Sequence, residues 1–169
     1  EFLPSEEEGP ILPGFDISVE ELVIDDLTLA GGIAGENAQR VNITGSAQVD
    51  DRRLLLDLDG RLGARDRVVL VVDAEPDGDD FDLALHASAA ADGPIAALAG
   101  LDASLDMRVR GDGTWTQWDG ALLVRSEDER VAALQLTNRA GRFGLLGTVD
   151  PTVFLTGLPA EALGDKVAL

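Results

Sequence analysis

His86 is the only imidazole in the chain and lies between Leu85 and Ala87. Nucleophilic catalysis around a histidine needs a nucleophile and an orienting group held beside the ring. With one His, one Lys, no Cys and no Tyr, acid–base work would fall almost wholly to carboxylates. Residue alternation puts His86 on the polar face of a strand, where it reads as an exposed strand histidine. Asp77-Gly78-Asp79-Asp80-Phe81-Asp82 brings four carboxylates into six residues. Calcium favours such oxygens, but an EF-hand needs ligands spread over about 12 residues and ending in Glu, so a solvated hairpin turn is the better reading.

Arg110-Gly111-Asp112 spells an adhesion tripeptide, and Asn42-Ile43-Thr44 a glycosylation sequon. The first reads as a turn signal and the second falls on an expected strand. Paired carboxylates for glycoside chemistry are available in number among 32 acids, but two Trp and five Phe are a poor supply of sugar platforms. No Gly-rich phosphate loop and no zinc spacing occurs. The expectation is therefore no catalytic residue, no metal ligand, no cofactor and no enzyme. Trp115 and Trp118, three apart in GDGTWTQWDG, admit two readings. Trp118 caps the apolar edge of a sheet, or the pair forms a ligand platform.

Composition narrows the classes further. The 169 residues suit one domain or a piece of a larger repetitive one. A formal net charge of −19 repels phosphate backbones and anionic headgroups, so nucleic acid is not an expected partner. The absence of Cys removes disulfides and thiolate sites. Apolar residues make up 45%, too many for an acidic disordered tail. No apolar run approaches the roughly 18 residues of a spanning helix.

The elements follow from periodicity. Residues 1–14 are rich in Pro, Gly and Glu and read as a flexible linker or the edge of an excised piece. From Phe15 apolar residues alternate with polar ones, through Ile17, Val19, Val41, Ile43 and Val49 and then Leu54, Leu56, Leu58 and Leu62. Such alternation makes strands with one apolar and one wet face. RVVLVVDA (67–74) is continuous instead, which predicts a strand covered on both faces. Glu75-Pro76-Asp77-Gly78 turns it into a second strand from Phe81 to Ala89. Pro94 and Gly100 bracket a short helix. Strands then fit Leu105–Val109, Trp118–Arg125, Arg130–Thr137 and Arg142–Val149, and a second short helix is expected over 159–164. Roughly eight to ten short strands at this spacing predict an all-β fold. A faint repeat, LDLDGRLG (56–63) and LDMRVRGDG (105–113), favours a sheet growing laterally.

Three segments carry a family resemblance: ADGPIAALAGLD (91–102), LDMRVRGDGTWTQWDGALLV (105–124) and LQLTNRAGRFGLLGTVDP (134–151). With the amphipathic strands before them, they resemble the TamB family, the inner-membrane component of the bacterial translocation and assembly module within the AsmA-like group. The similarity runs over roughly residues 15–155. It implies a curled, mostly open antiparallel or mixed sheet, a β-taco-like groove with an apolar interior, with one or two short helices. The corresponding organisation is a linker over 1–14, a groove segment over 15–155 and a C-terminal extension over 156–169.

The resemblance also implies a role. It suggests a soluble periplasmic segment of an envelope protein whose full-length form is anchored in the inner membrane. Its partners would be phospholipid acyl chains, neighbouring β segments of the same chain and, through the full-length protein, an outer-membrane barrel. It would conduct lipid, support outer-membrane protein assembly, or both. The expected groove lining is Ile43, Leu56, Leu58, Leu70, Val72, Leu83, Leu85, Leu105, Met107, Val109, Leu122, Val124, Leu134, Leu136 and Leu145. Such a trough would lack the bulky aromatics that plug a core. The competing reading packs the same strands into a closed β-sandwich, a binding or adhesin-type module without a groove.

Overall fold

The structure, a computed structural model, describes residues 12, 14–32, 37–99, 101–127, 129–150 and 167–168. The chain runs β1 (Ile17–Leu29), β2 (Gln39–Asp50), β3 (Arg53–Leu62), β4 (Asp66–Glu75), β5 (Asp80–Ala89), α1 (Pro94–Ala99), β6 (Leu105–Gly113), β7 (Gln117–Ser126), β8 (Glu129–Arg139), β9 (Arg142–Val149) and β10 (Val167–Ala168). All the strands lie in one sheet in sequence order, and every neighbouring pair is antiparallel. β1 and β10 are the two edges, so the sheet is open rather than closed into a barrel or split into a sandwich. The pairing is wholly antiparallel, with no mixed portion. The expected helix over 159–164 and nearly all of the 1–14 linker lie outside the described residues.

Tight turns make this meander. Asp51 and Arg52 both take positive φ (46° and 66°), as do Ala140 and Gly141 (51° and 81°). Two consecutive positive φ values match the right-handed twist of the flanking strands and allow two-residue hairpins.

β1 is longer than its alternation predicts. Its ladder with β2 slips between Val19 and Leu22 and again between Ile24 and Leu27. Each slip sets two residues of β1 against one of β2, Glu20 and Glu21 against Ser46 and Asp25 and Asp26 against Asn42, the signature of a bulge. The extra residues break period two in the sequence. They also return Leu22, Ile24, Leu27 and Leu29 to the side shared by Ile17 and Val19.

The 67–74 run is not covered on both faces. β4 pairs with β3 and β5 within a single layer, and Val71 on its outer side remains exposed, as does Leu55 on β3. Its β-branched residues favour the strand itself, and no second layer among the described residues accounts for them.

Candidate functional site: the apolar sheet face

Register, not sequence distance, assembles this face. Residues paired across a ladder share a side of the sheet. One row runs Gly45, Leu58, Leu70, Leu85, Val109, Leu122, Leu134, Gly147 from β2 to β9. The next runs Ala47, Leu56, Val72, Leu83, Gly111, Gly120, Leu136, Leu145. A third runs Ile43, Gly60, Val68, Ala87, Met107, Val124, Ala132, Val149. Leu105 begins a fourth, paired with Ala89. All fifteen residues named from the sequence thus stand on one side of the sheet. The opposite side carries Asp57, Asp59, Arg67, Asp73, Asp82, His86, Asp106, Arg108 and Arg110.

Among the described residues this face has almost no cover. Among the described residues no large side chain is fully buried, and the one buried apolar cluster is Val124, Val131 and Ala132, with Leu105, Met107, Leu122 and Val149 against it. Most of the fifteen are half-buried, and Leu145 is 58% exposed. A sheet side of this composition ordinarily packs on a second layer. Among the described residues no such layer is present.

The connection between β5 and β6 closes one end of the face. Asp66 pairs with Leu62 and so stands on the apolar side, yet it is only 2% exposed. Its carboxyl accepts the backbone N–H groups of Ala90 and Ile95, each at 2.8 Å. This pins the entry and first turn of α1 at the β4 start. Small residues make the fit, with Ala87, Ala89 and Ala96 all buried. A buried carboxyl is tolerated because these N–H groups satisfy it.

Aromatic rings gather at the other end. Trp118 pairs with Gly113 and Asn138, and Asn138 pairs with Phe143. The Trp118 indole folds back over Gly111 and Gly120, where any Cβ would overlap its ring. Its Nε1 is buried and has no hydrogen-bond partner among the described residues. Phe81 stacks on Trp115 with centroids 4.3 Å apart and meets Trp118 at 6.1 Å. These rings border a cavity of about 490 Å³ with Leu83, Leu136, Phe143 and Leu145 also in its wall. In a flat sheet β5 and β9 would lie about 19 Å apart. That residues of both line one cavity shows the sheet curling around it.

The trough is therefore not free of bulky aromatics, as the composition led one to expect. Few as they are, they concentrate at one place. The signal was the GDGTWTQWDG spacing, whose glycines leave flat backbone for an indole. Both Trp readings meet here, since Trp118 caps the sheet and Trp115 walls a cavity.

The polar side is laced with ion pairs. Arg53 reaches Asp73 and Arg67 reaches Asp59, each at 2.5 Å. Those guanidinium bonds hold the Asp73 and Asp59 carboxyls below the usual carboxylate range. His86 Nε2 lies 2.6 Å from Asp106 Oδ2, with Arg108 on the other oxygen at 3.1 Å. The His86 bond, aided by Arg108, lowers the Asp106 carboxyl likewise. His86 is thus a half-exposed partner in a surface network. The Arg110-Gly111-Asp112 tripeptide lies within β6, paired throughout with β7 and at Arg110 and Gly111 with β5, and not at a turn tip. Asn42 lies within β2, where its Oδ1 accepts the Asp26 N–H at 3.0 Å.

No family model matches this chain, and no curated protein or solved structure matches it.

Proposed function

We propose that the chain is a periplasmic segment of a TamB-like envelope protein, and that its apolar sheet face carries phospholipid acyl chains, supports outer-membrane protein assembly, or both. One observation carries the reading: an apolar side continuous over nine strands, without a second layer to bury it among the described residues. Acyl chains laid on such a side gain about 0.8 kcal/mol per buried methylene, while headgroups stay in water at the rim. Asp57, Asp59, Arg67, Asp73, Asp82, Asp106, Arg108 and Arg110 all lie on the outer side and leave the trough mostly apolar. In this reading the full-length protein is anchored in the inner membrane, meets an outer-membrane barrel, and continues the sheet with neighbouring segments of the same chain.

The test is lipid mass spectrometry on the purified chain and on variants of the face. Met107 and Leu122 touch the small buried cluster, so a charge there strains the fold itself. Leu58 and Leu70 sit mid-row, outside that cluster, and are the better probes. The wild type is expected to carry phospholipid, and Leu58→Glu and Leu70→Glu to lose it while keeping their β circular dichroism. A lipid-free wild type with an ordered sheet would sink the reading.

A further inference from the structure

The aromatic end of the trough differs in chemistry from its middle. Of seven aromatic residues in the chain (two Trp plus five Phe), Phe81, Trp115, Trp118 and Phe143 line the single 490 Å³ cavity. A cavity of this size is in the range of small-molecule sites. We propose that it recognises amphiphiles with an alkylammonium head, the chain lying on the apolar face and the charged head resting among the rings. This rests on the lipid reading above and adds headgroup selectivity to it.

The rings favour a cation. Ring faces carry negative quadrupole density, and Trp is the best partner of an ammonium group. Carboxylates also hold the turn that bears Trp115. Asp79 accepts the Thr116 hydroxyl at 3.2 Å, and Asp82 accepts the Gly113 N–H at 3.4 Å. The nearby Arg139 is committed to Asp119 at 2.7 Å. An anionic head therefore meets the negative ring faces and a net charge of −19, an uncharged head binds through its chain alone, and an ammonium head gains the ring attraction.

The chain reports on this cavity by itself, since both of its tryptophans line it and it has no Tyr. Tryptophan fluorescence is titrated at 0.15 M salt with dodecyltrimethylammonium, dodecyl maltoside and dodecyl phosphate, each below its micelle concentration. The ammonium probe is expected to bind about tenfold tighter than the maltoside, the size of one or two cation–π contacts, with the phosphate weakest. Trp115 is 42% exposed, so Trp115→Leu leaves the fold in place and Trp118 as reporter. It is expected to erase the preference for the ammonium probe over the maltoside, and Phe81→Leu to do the same. Equal binding of the three probes would overturn the selectivity and leave the lipid trough standing. An ammonium preference that survives both substitutions would also overturn it, because diffuse charge would then be the cause. Binding of none of the probes would overturn both readings.

Discussion

Gly111 and Gly120 show how much one missing methyl controls. They sit side by side in neighbouring strands, and the Trp118 indole lies flat on both. Gly111→Ala forces that ring off the sheet. The expected cost is about 1–3 kcal/mol of stability, the ordinary penalty of overpacking, together with a red-shifted tryptophan emission. Denaturant unfolding followed by fluorescence measures both, and an unchanged midpoint and spectrum would contradict the placement. The outer side makes a pH prediction. Asp59 and Asp73 have folded pKa values lowered by Arg67 and Arg53. A lowered carboxylate stabilises the fold in full above its unfolded value of about 3.9 and loses that contribution as pH falls through the folded value. The melting-temperature gap between wild type and Asp59→Asn/Asp73→Asn should thus be constant near neutrality and close below about pH 4. It should be small throughout, because such exposed pairs are worth little.

At the scale of elements, α1 depends on a single side chain. Asp66→Ala leaves the Ala90 and Ile95 N–H groups without their acceptor, and losing buried partners costs about 1–3 kcal/mol each. Hydrogen exchange at these two amides should speed up well before the β4–β5 ladder opens, and Asp66→Asn should recover part of the protection through its carbonyl. Unchanged exchange in Asp66→Ala would mean that α1 is held by packing alone. This strut was invisible in the sequence, where Asp66 is one of 32 acids and its partners lie 24 and 29 residues away. Strands from Leu54 to Val149 were legible because period two survives in a sheet with one wet side. The short helix was legible from Pro94 and Gly100. The second half of β1 was not, since its two bulges disrupt the alternation that marks a strand. The continuous 67–74 run misled for the opposite reason, because β-branched residues serve strand formation whether or not a second layer covers them. The apolar side itself could be read off residue by residue, whereas the gathering of four rings needed the register of β5, β7 and β9.

The whole molecule is an open sheet, and an open sheet has edges that seek strands. β1 offers Ile17, Val19, Leu22, Val23, Ile24 and Leu27, all more than a third exposed. It also carries Glu20, Glu21, Asp25 and Asp26 and no base, and two bulges kink it. Acids and bulges both discourage edge pairing, so this strand is attractive by its backbone and apolar residues and repellent by its charge. At the far side β9 exposes Phe143, Leu145 and Leu146 and carries Arg142 with no acid. β10 pairs only with Thr148 and Val149 of β9, so an acidic β1 edge and the Arg142 end of β9 suit head-to-tail growth, but a net charge of −19 on each copy opposes it. Salt separates these terms. At about 0.01 M the Debye length is near 30 Å and the copies repel as whole bodies, while at about 1 M it is near 3 Å and only contact chemistry remains. Sedimentation velocity should therefore show a monomer at low salt and growing association at high salt, with slowed hydrogen exchange along β1 in the associated form. Asp25→Ser/Asp26→Ser should shift the onset to lower salt by removing two edge charges. A strict monomer at 1 M salt, with the outer β1 amides still exchanging freely, would show that the bulges alone suffice to close this edge to strand addition.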